Sequence, residues 1–96
     1  MAVYFIANDN VTNPDLMQEY FAAVTPLLAA CDHEVIGYDS DAFPLERQPA
    51  GKRVVVIKFP TEAVFRAFYD SPEYQAVIDK RLNATEGFAL LMRTAD

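Results

Sequence analysis

Two rhythms of apolar residues run through this chain, one alternating and one recurring every three to four positions. Val3-Tyr4-Phe5-Ile6-Ala7 is a short apolar run of β-formers, closed by the turn-prone Asn8-Asp9-Asn10, and it predicts a first strand. A helix start follows. Asn13 is suited to cap it, Pro14 to take its first position, and Asp15 to complement the positive end of its dipole. Leu16, Tyr20, Val24, Leu27, Leu28 and Cys31 then recur at helical steps, which predicts an amphipathic helix over 14–31. Pro26 lies inside it and removes the hydrogen bond to the Ala22 carbonyl, so a kink or short break is expected there.

The second half repeats the alternation. A strand is expected over Glu34–Asp39, then a long loop over 40–52 with two Pro, one Gly and no periodicity. Arg53–Phe59 (RVVVIKF) is the clearest strand, and Pro60 ends it. Thr61 caps a helix reaching Tyr69. Ser71, Pro72 and Glu73 then repeat the capping pattern ahead of a helix that carries Tyr74, Val77, Ile78, Arg81 and Leu82 on one face. Phe88–Arg93 is the last strand. The order β-α-β-β-α(α)-β predicts an α+β, ferredoxin-like antiparallel sheet with its helices on one face and the strand order 4-1-3-2.

The first and third strands are then central, and both are apolar on both sides. Val3 and Phe5 face away from Tyr4 and Ile6, and Val54 and Val56 face away from Val55, Ile57 and Phe59. An open antiparallel sheet with helices on one face should alternate apolar with polar. A chain of 96 residues reads as a single domain over 1–96 and holds no spare element to cover the second face. The expected cover is a second copy, sheet against sheet, in a homodimeric α/β barrel.

Composition narrows the function classes. The start of the chain has neither a basic region nor a long apolar run, so no signal peptide is expected, and no apolar stretch approaches bilayer length. Together with the single Cys31 this predicts a cytoplasmic protein without membrane attachment. Fourteen acids against eight bases give a net charge of −6, and no Lys or Arg precedes Arg47. Such a chain is a poor ligand for phosphate backbones. Its element order is also that of RNA-recognition modules, but their third strand needs stacking aromatics where this chain has Val54, Val55, Val56 and Ile57. No nucleic-acid partner is expected.

VTNPDLMQEYFAAVTPLLAA and RVVVIKFPTEAVFRAFYDSPEYQAVIDKR resemble a small bacterial family known as domain of unknown function 1330. The resemblance covers nearly the whole chain and is most specific at Arg53–Pro60 and Tyr69–Gln75, with Arg81 on a favoured basic position. It implies the dimeric α+β-barrel superfamily and hence a homodimer. Cys31–Asp39 and the loop at 42–50 depart from the family pattern. The family carries no assigned reaction.

Candidate chemistry is sparse. Ser71 and Glu73 read as helix caps, and the same helix start is also suited to hold an acidic ligand. Tyr74 and Arg81 are two turns apart and share a face, where Arg81 can meet either an acidic ligand or a neighbouring carboxylate. Tyr38 and Arg53 complete the set of expected ligand-lining residues: Tyr38, Arg53, Ser71, Tyr74 and Arg81. His33, the sole histidine, is the one candidate proton shuttle, since histidine titrates near neutrality. Flanked by Asp32 and Glu34 on an extended segment, it cannot readily share an ion with Glu34, and no metal-ligand spacing occurs. No motif asks for a cofactor. The expectation is a small-molecule-binding protein, an enzyme on a small organic or acidic metabolite among its forms, with the pocket between sheet and helices. The alternative is a non-catalytic homodimeric module.

Overall fold

The structure, a computed structural model, describes residues 1–95. In chain order it contains β1 (Val3–Val11), α1 (Pro14–Ala29), β2 (Glu34–Asp39), β3 (Arg53–Phe59), α2 (Glu62–Tyr69), α3 (Pro72–Gln75), α4 (Ile78–Ala84) and β4 (Thr85–Arg93). The four strands form one antiparallel sheet in the order β2-β3-β1-β4. This is the ferredoxin-like α+β arrangement that the element order predicts.

Local chemistry explains the helix starts. The side chains of Asn13, Thr61 and Ser71 each accept a hydrogen bond from the backbone N–H three residues on, at Leu16, Val64 and Tyr74. Pro14 and Pro72 follow two of these caps, where a missing N–H costs nothing.

The structure departs from the sequence reading at several boundaries: β4, for one, starts at Thr85 rather than Phe88, pairing with β1 as far as Val11, and α1 ends at Ala29 rather than at 31. β1 does not turn at Asn8-Asp9-Asn10 but runs on to Val11, because all three polar side chains have partners across the sheet. The Asn8 amide donates to the Gly51 and Arg53 carbonyls at 2.9 and 3.1 Å, and its oxygen accepts from Ala50 N–H at 3.0 Å. Asn10 accepts from Lys52 N–H, and Asp9 pairs with Arg53. Tertiary pairing outweighs turn preference here. α1 passes through Pro26 without a break and ends at Ala29, so the missing bond to the Ala22 carbonyl does not interrupt it. The third helical region is two short helices, and Leu82 lies outward at 52% exposure.

Strand register sorts the sheet into two faces. Under the helices, Val3 lies opposite Phe59, Phe5 opposite Ile57, Ala7 opposite Val55 and Asp9 opposite Arg53. Phe59 and Phe65 pack edge to face at 5.1 Å, and Met17, Tyr20, Val24, Tyr74 and Ile78 form a second buried cluster between the helices. The other face carries no helix. Its middle row is Val56, Ile6 and Leu90, and Tyr4, Met92, Val54 and Phe88 extend it above and below.

Two glycines press on Asp9, Gly51 from the loop before β3 and Gly87 from β4. A side chain at Gly51 would overlap the Asp9 backbone carbonyl, and one at Gly87 (φ +154°) would overlap Asn8 and Asp9. Gly51→Ala is therefore expected to cost about 3 kcal/mol, since backbone rather than a flexible side chain must yield. Thermal unfolding would check this, with a fall in Tm of more than about 10 °C expected.

Candidate functional site

The helix-side interior gathers the buried charged groups, Asp9, Arg53 and Arg81, and the buried phenols Tyr20 and Tyr74. Arg53 begins β3 and is 8% exposed; its Nη1 donates to both Asp9 carboxylate oxygens at 2.8 Å. Its guanidinium also lies against the rings of Phe21 and Tyr38, 5.9 and 5.6 Å from their centres. Opposite charges directly across a strand pair hold each other in place, so Arg53 is fixed and its charge is matched.

Arg81 is different. It projects from α4, is 6% exposed, and lies over the Phe5 ring at 5.9 Å. Among the described residues no carboxylate lies within 4.0 Å of it, whereas its neighbour Lys80 reaches Glu19 at 3.1 Å. Its Nε has no hydrogen-bond partner, and neither has that of Arg53. A buried cation without a counter-charge is costly, and a guanidinium stays charged.

Phenols surround Arg81. Tyr20 of α1 and Tyr74 of α3 are buried and share a hydrogen bond between their hydroxyls at 2.9 Å. Burial, with Tyr74 adding to it, pushes the Tyr20 phenol well above its ordinary range, so it stays protonated and acts as a donor or acceptor rather than as a base. Burial alone would lower the Arg81 guanidinium, but the adjacent Tyr74 phenol, with Tyr20 and Tyr69, carries it upward. Beside these groups lies an enclosed cavity of about 30 Å³, walled by Phe5, Tyr20, Phe65, Tyr69 and Tyr74 among others. That is room for one water.

Thus the structure brings Arg81 and Tyr74 together, and sets Tyr38 against Arg53 at the neighbouring end of the sheet. Ser71 stands apart: its hydroxyl accepts from Tyr74 N–H, donates to the Phe68 carbonyl at 2.7 Å, and lines an outer groove of about 410 Å³ with Leu27, Cys31 and Val64. His33 is also remote. It precedes β2, its Nδ1 lies 2.8 Å from the Cys31 carbonyl, and its ring is near Phe59, roughly 20 Å of strand from Arg53. Burial, then Asp32, raises the Cys31 thiol, which is the reverse of what a nucleophile needs. Among the described residues no three His, Cys, Asp or Glu gather to hold a metal, and no helix is long and apolar enough to cross a membrane.

Two contributors escaped the sequence reading. Asp9 was hidden in an apparent turn, although it continues the alternation of Val3, Phe5 and Ala7. Tyr20 reads as core from its helical spacing, and only its meeting with Tyr74, 54 residues on, makes it polar machinery.

Solved structures share this architecture. A protein of unknown function from Rhodopseudomonas palustris is 16% identical, with a TM-score of 0.71 over 99% of this chain and 82% of that one. SnoaB, a cofactor-independent oxygenase from Streptomyces nogalater, is 15% identical, with a TM-score of 0.66 over 99% of this chain and 94% of its own. A dimeric ferredoxin-like protein of unknown function from Thermobifida fusca YX is 21% identical, with a TM-score of 0.62 over 98% and 92% of the two chains. At these identities the likeness is one of fold. No curated protein matches the chain. The family model described as Domain of unknown function (DUF1330) matches residues 2–95, and the chain belongs to that family.

Proposed function

We propose that this protein is a homodimer, sheet against sheet, in which each protomer binds a small organic acid between its sheet and helices. The observation that carries the reading is Arg81: a guanidinium 6% exposed, with no carboxylate in reach among the described residues, beside two phenols and an enclosed cavity. An anion there would relieve the uncompensated charge and accept hydrogen bonds from Arg81 and the Tyr20–Tyr74 pair. Arg53 and Tyr38 do not line that cavity, and Arg53 is already neutralised by Asp9. Ser71 acts on it indirectly, by capping the helix that carries Tyr74.

The water-sized volume of the enclosed cavity favours a second reading, a non-catalytic homodimeric module whose buried polar groups only fix the core. A thermal-shift panel of aliphatic and aromatic monocarboxylates separates the two. Binding predicts a rise in Tm of several degrees with at least one acid, lost in Arg81→Met, which keeps the apolar stem but removes the charge. If no acid raises Tm, and Arg81→Met unfolds at a lower temperature than the wild type, Arg81 serves the core and the non-catalytic module stands.

A further inference from the structure

The enclosed cavity has a neighbour. At the β4 edge of the sheet an open cleft of about 200 Å³ is walled by Phe5, Phe65, Tyr69, Arg66 and Leu91, and three of these walls, Phe5, Phe65 and Tyr69, also bound the cavity. The cleft lies between α2 and the Ala89–Leu91 stretch of β4. Ala89 lies opposite Ala7 on the helix side of the sheet, yet it is exposed. What divides the two spaces is side chain, not backbone: the Phe65 and Tyr69 rings, one turn apart on α2, stack at 5.2 Å with 22° between their planes. Behind them Arg81 lies over Phe5, while Arg66 stands exposed at the outer mouth.

We infer that the cavity and the cleft are the inner and outer halves of one site, and that its ligand is a flat aromatic monoanion. This rests on the binding reading above and adds the route and the chemical class. The charge follows from the buried groups among the described residues: two guanidiniums, Arg53 and Arg81, face one carboxylate, Asp9, which leaves one positive charge to match. The flat shape follows from the walls. Phe5, Phe65 and Tyr69 offer ring faces, so a planar ligand sliding between Phe5 and the Phe65–Tyr69 pair replaces ring contacts with ring contacts. Its acidic group then reaches Arg81 and the Tyr74 hydroxyl.

Titration of the full chain with 2-naphthoate, followed by amide NMR, tests this against decanoate (same charge, flexible) and 2-naphthamide (flat, neutral). Binding of 2-naphthoate should shift the amides of Ala89–Leu91 and of Tyr69 and Tyr74 together, and should exceed that of either comparison at least tenfold. Ala89→Phe adds a ring in the cleft at an exposed position and should weaken 2-naphthoate at least tenfold with little change in Tm. Should that variant unfold, Arg66→Glu, a repulsive charge at the mouth, should weaken it severalfold. Undiminished affinity in a folded Ala89→Phe, or decanoate binding as tightly as 2-naphthoate, would overturn the route or the class while acid binding through Arg81 still stood. Equal 2-naphthoate binding by the wild type and Arg81→Met would remove the binding reading itself.

Discussion

Asp9→Ala is expected to destabilise the protein by about 3–5 kcal/mol, because it strands the Arg53 guanidinium in the interior without its counter-charge. For a domain of this size that is a fall in Tm of roughly 15–25 °C. The effect is large because neither partner has anywhere else to go. Asp9 is 2% exposed, Arg53 is wedged between the Phe21 and Tyr38 rings, and Gly51 and Gly87 close on the Asp9 backbone from both sides. Water cannot replace the lost carboxylate without opening the end of the sheet.

The same reasoning fixes what the double variant should do. Asp9→Leu with Arg53→Met removes both charges and leaves apolar volume, so it should recover more than half of the loss, and the coupling in a double-mutant cycle should exceed about 2 kcal/mol. Denaturant unfolding measures it. An Asp9→Ala variant within 1 kcal/mol of the wild type would mean that Arg53 finds solvent after all. Arg81 gives the contrasting case. With no carboxylate within 4.0 Å among the described residues, its removal takes away no ion pair, and its effect should fall on ligand binding rather than on the apo protein.

The fold was legible because its signals are local. N-caps at Asn13, Thr61 and Ser71, each followed by Pro or an acidic residue, mark helix starts within four residues of chain, and RVVVIKF allows few alternatives to a central strand. The site was less legible because it is assembled at long range. Arg81 and Tyr74 could be placed on one face from their spacing alone, but that no carboxylate among the described residues lies near Arg81 depends on α1, α4 and the sheet at once. The polar run at Asn8-Asp9-Asn10 misled for the same reason: its partners are 42 to 45 residues away, on the loop and β3. Conversely, the two-sided apolar pattern of β1 and β3 was visible from alternation, and it bears on a surface that no element of a single chain covers.

That surface supplies the other large effect: Val56→Lys should turn a dimer into a monomer. Val56, Ile6 and Leu90 form an unbroken apolar row across the middle of the open face, with Val54, Phe88, Tyr4 and Met92 beside it, and Phe88, Leu90 and Met92 are about half exposed. Polar and charged residues, Lys58, Glu34, Asp39, Asn10 and Glu86, stand around this centre. An apolar middle within a polar border is how protein–protein contacts are built, and a monomer has little reason to maintain one. In a two-fold contact every substitution counts twice, so one lysine at the centre places two ammonium groups in a desolvated patch. A penalty of about 4 kcal/mol or more would raise the dissociation constant roughly a thousandfold. Light scattering at micromolar concentration should therefore give twice 10.8 kDa for the wild type and 10.8 kDa for Val56→Lys. The wild-type Tm should rise with protein concentration while that of the variant does not. A wild-type particle of 10.8 kDa would leave the apolar row without a partner of its own kind and end the homodimer proposal.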